Sequence, residues 1–413
     1  MAKKKVVSDV IDTDEDYAAI AANTGGDILE DIEDVGFFID TGNLSINYGC
    51  SGRYIHGGIP GDKITEAYGP PASGKSLIAS NCMRGAQNMG AWVIILDCEN
   101  ATNADFMKKT SHLDTKKVVR YTPPSLERAF RQIHVSTTSI RKYEKEKGRE
   151  QKPIFVVFDS LTVPPCEREL RENDLPMDFS VTDWKTIVGR HEQPGERAKV
   201  IGTEMRKLQA MIAERGVTVY IINQVRDQIG VLYGSPEITP GGKAMGFYSS
   251  LRFRCSTRKK IEQKERETFS GINMQVKNTK NRSFRPFVEA NDVKLYWEDG
   301  IDPTSGLLTC LIEGSRVSGK GTYSVAEAYL PEGRAEYKFK AKKSENRVPT
   351  QVLLDCPKLI DAESEAEVQE YLDRWGGGIM ATESGEYGEK SVKFDADGNA
   401  YESENYDEYA DDE

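Results

Sequence analysis

The segment GPPASGKS, Gly69–Ser76, follows the apolar stretch ITEAYG and runs straight into LIASNCMRGAQ. A glycine-rich turn between a strand and a helix gathers backbone N–H groups around one point, and the helix dipole favours an anion there. In such a phosphate-binding loop, Gly69, Pro70, Pro71, Ala72, Ser73, Gly74 and Leu77 form the cradle. Lys75 reaches the β- and γ-phosphates of ATP, and Ser76 holds Mg²⁺. A chance match in an ordinary βα turn is the competing reading, and the fixed spacing of glycines, lysine and serine argues against it.

That loop commits the surrounding chain to an α/β core, and the apolar runs agree. AWVIILDCE (Ala91–Glu99), IFVVFDS (Ile154–Ser160) and VTVYIINQ (Val217–Gln224) are nearly continuous apolar stretches, as in strands covered on both faces of a parallel sheet. VVRYTP is a shorter strand of the same kind. TEMRKLQAMIAERG (Thr203–Gly216) has helical spacing and a glycine stop. SLRFRCSTR and GINMQVKNTKN alternate as antiparallel strands do and extend the sheet. The expected architecture is a mostly parallel, helix-covered sheet. A small N-terminal segment (1–34) precedes the core (35–299), and a small helical lobe (300–382) and a disordered acidic tail (383–413) follow it.

Three strands end in polar residues, at the sheet edge where an open α/β fold places its chemistry. Asp159 is suited to organise Mg²⁺ together with Ser76. Asp97 and Glu99 fall on one side by alternation, and Glu99 is placed to activate the attacking water. Asn223 and Gln224 present amides able to report a γ-phosphate.

The formal charge of −11 over 413 residues is uneven. Twelve acids and two lysines fall within Glu383–Glu413, so the rest of the chain is almost neutral and a nucleic-acid partner is not excluded. The tail reads either as a solubilising end or as a competitor for basic loops. Seven scattered cysteines without a C-x-x-C pair, and only four histidines, argue against a structural zinc site or a disulfide framework. No apolar run reaches the roughly 18 residues of a membrane span, and MAKKKVVSDVIDTDEDY lacks the core of a secretory signal. The expectation is a cytoplasmic protein with no membrane partner.

Two long polar loops leave the nucleotide-facing strand ends, one after Ser160 and one, VRDQIGVLYGSPEITPGG, after Gln224. Loops of this length in a compact core are usually functional. Arg206 and Arg226 are suited to a nucleic-acid backbone, and Ile229, Leu232 or Tyr233 to an apolar wedge between bases. A lid over the nucleotide is the plainer alternative.

In order along the chain, TGNLSINYG, AYGPPASGKS, ILDCENATNADF, VVFDS, TEMRKLQ, INQVRDQIGVLYGSPEITPGGKAMGFYSSLRF and VKNTKNRSFRPF resemble the RecA-type recombinases over about residues 35–290. DGIDPTSGLL resembles the phage UvsX-like branch in particular. The resemblance implies that Glu99 is the catalytic carboxylate and Asp159 the Walker B acid. It makes Gln224 the switch between γ-phosphate and second loop, Phe106 the aromatic packed on adenine, and Asn103 a neighbouring base contact. Lys280 and Arg282 match paired cations that reach a neighbouring subunit's γ-phosphate, with Arg282 replacing the more usual lysine. Arg206, Arg226, Gly241 and Gly242 match DNA-contacting positions, and Tyr233 stands where phenylalanine is common. The first loop, between Leu161 and Lys199, is longer and more acidic than in the bacterial proteins.

The activity so implied is ATP-dependent filament formation on single-stranded DNA, then pairing and strand exchange with homologous double-stranded DNA. Its partners are a single-strand-binding protein and a recombination mediator, in a host cytoplasm, and the N-terminal segment is a candidate contact between protomers. A ring ATPase on the same core, either a replicative helicase or a regulatory ATPase, is the alternative.

Overall fold

A computed structural model describes residues 35–169, 195–227, 237–241, 243–263 and 268–376, with 19, 21, 23–24, 392–394 and 400–402. The chain divides into two units, Met1–Gly36 and Phe37–Glu413. In the first, residues 19, 21, 23 and 24 are helical, and most of the N-terminal segment lies outside the described residues.

The second unit opens with β1 (Phe38–Ile39), α1 (Leu44–Ser51) and β2 (Ile59–Pro60), and then enters the main sheet. β3 (Ile64–Gly69) leads through the glycine-rich loop into α2 (Lys75–Asn88). β4 (Trp92–Asp97), α3 (Ala104–Ser111), β5 (Val118–Tyr121), α4 (Leu126–Glu146) and β6 (Ile154–Asp159) follow. α5 (Glu196–Arg215) ends at Gly216, whose φ of +59° closes the helix and turns it into β7 (Val217–Gln224).

Two short strands, β8 (Arg226–Asp227) and β9 (Glu237–Ile238), pair with each other, and α6 (Lys243–Tyr248) follows them. Three longer strands come next, β10 (Leu251–Gln263), β11 (Thr268–Asn281) and β12 (Glu289–Tyr296), and β13 (Gly300–Ile301) completes the sheet. The order is β13-β12-β11-β10-β3-β7-β6-β4-β5. From β10 to β5 every pairing is parallel, and from β10 outward through β13 every pairing is antiparallel.

The apolar runs behave as their composition dictates. Phe155, Val156, Val157, Phe158, Val219, Tyr220 and Ile221 are all 0% exposed. Burial of each such side chain is worth about 1.5–3 kcal/mol. One face of the sheet packs on α2 through Ile78, Ala79, Cys82 and Met83, and the other on α4 and α5 through Phe130, Ile133, Met205 and Ile212.

Three expectations change. SLRFRCSTR is antiparallel only toward β11; toward β3 it is parallel, with Leu251 opposite Thr65. The C-terminal lobe holds α7 (Leu307–Glu313), α8 (Thr350–Asp355) and α9 (Glu365–Gly376), but also an antiparallel sheet of β14 (Val317–Lys320), β15 (Thr322–Val325) and β16 (Lys338–Lys340). Tyr323 and Phe339 stack across β15 and β16 and supply the apolar face that so short a sheet needs. Within the tail expected to be disordered, Val392–Phe394 pairs antiparallel with Ala400–Glu402.

The lobe is sealed to the core by α9. Trp375 Nε1 donates to Asp40 Oδ2 at 2.8 Å and Tyr371 to Oδ1 at 3.3 Å. Burial pushes the Asp40 carboxyl above its ordinary range even though four donors surround it. All seven cysteines are free thiols, and only Cys98 is not fully buried.

Candidate nucleotide and DNA site

Conformational demands fix the sequence of the loop between β3 and α2. Gly69 has φ +151° and a Cβ there would stand 2.1 Å from the Cys255 carbonyl oxygen; Gly74 has φ +87° and its Cβ would stand 2.7 Å from Met274 Sδ. Ala72 also lies in the left-handed region, at φ +55°. Pro71 and Ala72 are exposed, Ser73 is buried, and Leu77 points into the core, so its share in a cradle is its backbone. Lys75 Nζ donates to the carbonyls of Gly69 at 3.1 Å and Pro70 at 2.6 Å, and to Ser73 Oγ at 3.3 Å. Burial pulls its ammonium below the usual lysine range, opposed by Cys255, Asp159 and Glu99.

Across the loop, Ser76 Oγ donates to Asp159 Oδ2 at 3.0 Å, and the pair offers two hard oxygens of the kind Mg²⁺ takes. Asp159 is pushed up to about 6, first by burial and then by the nearby Glu99 charge. A cation at this spot restores the ionised form, so the donor set and the electrostatics both fit a metal–nucleotide pair.

Glu99 lies beyond the end of β4, exposed, and its Oε1 accepts from Ser160 Oγ at 2.7 Å and Gln224 Nε2 at 3.3 Å. A cis peptide joins Asp159 to Ser160. Asp97 does not share the side of Glu99. The strand ends at Asp97, so alternation stops there. Its carboxylate is 2% exposed and accepts from the backbone of Ala101 and Thr102 and from the Arg120 guanidinium at 2.7 and 2.9 Å. Asp97 thus shapes the turn that carries Glu99.

Phe106 is 42% exposed near the start of α3, as a stacking surface must be. Asn103 caps that helix: its Oδ1 accepts from the backbone of Asp105 and Phe106, both at 3.0 Å. Lys280 Nζ donates to the carbonyls of Gly246 and Phe247, and Arg282 Nη2 to that of Phe247. Both cations thus meet the unpaired carbonyls at the end of α6. Neither is hydrogen bonded to the glycine-rich loop of its own chain among the described residues.

Arg206 is exposed along α5, and Arg226 is exposed at the root of the second loop. Gly241, φ +97°, is buried against Ile201 and Met245, which makes it a turn-former. Ile229, Leu232, Tyr233 and Gly242 lie outside the described residues, as do 170–194 of the first loop.

Asn223, expected with Gln224 to face a γ-phosphate, is buried and held instead by Glu66 and Thr162, and Glu66 is also paired with Arg252, three residues that sequence spacing does not single out. The one acid inside the otherwise apolar ITEAYG strand was the available signal.

The model for the RecA N-terminal domain matches residues 24–140 and 187–302, stepping over most of the first loop. The protein RecA of Thermus aquaticus is 28% identical over 336 residues, covering 80% of this chain and 88% of that protein. RecA of Chlorobaculum tepidum is 31% identical over 310 residues, covering 74% and 79%, and RecA of Chlorobium chlorochromatii is 31% identical over 303, covering 73% and 76%. The matched residues hold the phosphate-binding loop, Glu99, Gln224 and every strand of the main sheet except β6, and the chain belongs to the RecA family of ATPases.

Proposed function

We propose that this chain is a homologous recombinase of the phage UvsX-like branch. It assembles as an open helical filament on single-stranded DNA and exchanges strands with a homologous duplex, using ATP and Mg²⁺. The observation that carries the reading is the double approach of Ser160 and Gln224 to one oxygen of Glu99, which ties the acid beside the phosphate loop to the root of the second loop. The DGIDPTSGLL segment supports the branch.

Lys75 turns from neutral carbonyls to the charged phosphates, an exchange that strengthens its hydrogen bonds. Ser76 and Asp159 hold Mg²⁺, which when bound offsets phosphate charge. Glu99 takes the proton of the attacking water. Gln224 reports the γ-phosphate to residues 225–241, where Arg226, with Arg206 on α5, grips the DNA backbone and Ile229, Leu232 and Tyr233 support the bases. Phe106 would stack on the adenine, with the Asn103 side chain as the neighbouring base contact.

Lys280 and Arg282, which among the described residues make no hydrogen bond to their own phosphate loop, complete the site of the next protomer. A head-to-tail contact of this sort propagates as a helix unless its rotation closes a ring. Base pairing itself supplies the sequence test, so the protein needs no code of base contacts.

The test is ATP hydrolysis with and without single-stranded DNA, with negative-stain images of the same samples. DNA-stimulated turnover with open helical filaments is expected. DNA-independent turnover with closed rings overturns the reading in favour of a ring ATPase.

A further inference from the structure

Asn223 and Gln224 are neighbours whose side chains part. Gln224 goes to Glu99, while Asn223, 0% exposed, goes the other way. Its Nδ2 donates to Glu66 Oε1 at 2.9 Å and to the Pro240 carbonyl at 3.0 Å, and its Oδ1 accepts from Thr162 Oγ1 at 3.0 Å. Glu66 is itself 0% exposed, on β3 shortly before Gly69. From β10, Arg252 donates through Nε to Glu66 Oε2, and its Nη2 reaches Thr239 Oγ1 at 3.4 Å. The same guanidinium lies 4.9 Å from the centre of the Tyr68 ring. Farther out, Arg254 grips Glu237 through Nε and Nη2, at 2.7 and 2.5 Å.

These contacts converge on one purpose. Asn223 precedes the second loop, while Glu237, Thr239 and Pro240 stand where it returns. Asn223, Glu237 and Thr239 are each tied to β3 or β10, two adjacent parallel strands, Pro240 is tied to Asn223, and β3 feeds the phosphate loop. A fully buried carboxylate is costly unless it is paired and hydrogen bonded, and a core between two strands is more cheaply filled with apolar side chains. The placement of a charge here is therefore explained by what it holds.

We infer that Glu66 and Arg252 are positioning residues that latch both ends of the second loop to the strand feeding the phosphate loop, so that the loop meets DNA in fixed register with the nucleotide. The inference rests on the DNA-binding reading of that loop. The latch differs from the Gln224–Glu99 contact, because it holds the loop without touching the Glu99 carboxylate.

The full chain carrying Glu66→Gln and Arg252→Met together removes both charges, so neither is left stranded. Two quantities are read: the rate of chymotryptic cleavage after Leu232 and Tyr233 without DNA, and the oligothymidylate concentration that half-maximally stimulates ATP hydrolysis. Each is expected to rise about tenfold, as for one lost hydrogen bond to a charged group, while the KM for ATP at saturating DNA stays within about twofold. Parental values of both in a variant that still unfolds cooperatively overturn the inference. If the double variant does not fold, Thr239→Val and Glu66→Asp replace it, and parental cleavage in both overturns the inference equally. If hydrolysis by the parent ignores DNA, the recombinase reading fails, whereas the cleavage rates still decide the latch.

Discussion

Gln224 Nε2 donates to Glu99 Oε1 at 3.3 Å, bridging the last residue of β7 and the turn after β4. β6 lies between those strands in the sheet, and it supplies the other partner of that oxygen through Ser160, just past its end. One carboxylate oxygen is thus held from two strand ends.

Glu99→Gln keeps the shape and both neighbours but cannot take a proton. Steady-state ATP hydrolysis is expected to fall by about 100-fold or more, the usual contribution of a general base. ATP-dependent filaments on single-stranded DNA are expected to persist in electron micrographs. Parental turnover in this variant removes Glu99 from the chemistry.

Lys75→Ala removes the cation from the loop and leaves the Gly69 and Pro70 carbonyls without their donor. A hydrogen bond to a charged group is worth about 1.5–3 kcal/mol, so affinity for a fluorescent ATP analogue is expected to drop about 10- to 100-fold. Nucleotide-dependent filament assembly should go with it. Titration of the analogue at fixed protein concentration gives the answer.

Glu144, 1% exposed, sets an acid limit on stability. Burial pushes its carboxyl up, but the Lys152 backbone N–H at 3.0 Å, Arg141 at 2.7 Å and the Trp92 indole at 2.8 Å together hold it below the ordinary value of 4.5. The folded state therefore binds this proton less readily than the unfolded chain does. Its stabilisation is complete above pH 4.5 and is lost as the pH falls through the lower folded value. Glu144→Gln is expected to cost about 1–3 kcal/mol at pH 7, and the gap from the parent should narrow in denaturant titrations at successively lower pH.

Deleting Glu383–Glu413 removes twelve acids and two lysines. If that charge competes with DNA for the basic loops, loading onto single-stranded DNA should be faster at low salt, and the difference should vanish as salt screens both contacts. Stopped-flow association traces over a salt series decide it. Equal rates at every salt concentration leave the tail no part in loading.

The parallel half of the sheet was legible because strands buried on both faces are apolar along nearly all their length, and WVIILD, IFVVFD and VTVYIINQ are so up to their polar ends. β12 escaped notice because it reads EANDVKLY, with alternating half-buried positions and an acid at its start. α5 begins before Thr203 because its first two turns, ERAKVIG, combine charges with a glycine and look like loop. The C-terminal sheet is made of strands of three or four residues, too short for a period to show.

In the site, Lys75 and Ser76 stand out by the spacing of the glycine-rich loop, and Glu99 and Asp159 by their places at the ends of apolar runs. Asn103 was matched to a base contact, and the structure adds its helix cap, a task that local sequence also permits. Glu66, Asn223 and Arg252 form a group through residues far apart in the chain, which spacing alone does not bring together.

The buried thiols have a practical consequence. Burial raises every one of the seven, to about 12 for Cys98, Cys255, Cys310 and Cys356 and to about 11 for Cys166, so almost no thiolate exists at neutral pH. Maleimide chemistry will therefore pass over the native side chains. A single cysteine placed at Ser235, in the second loop, can carry a fluorophore without stripping the others, and its emission will follow that loop through binding and turnover.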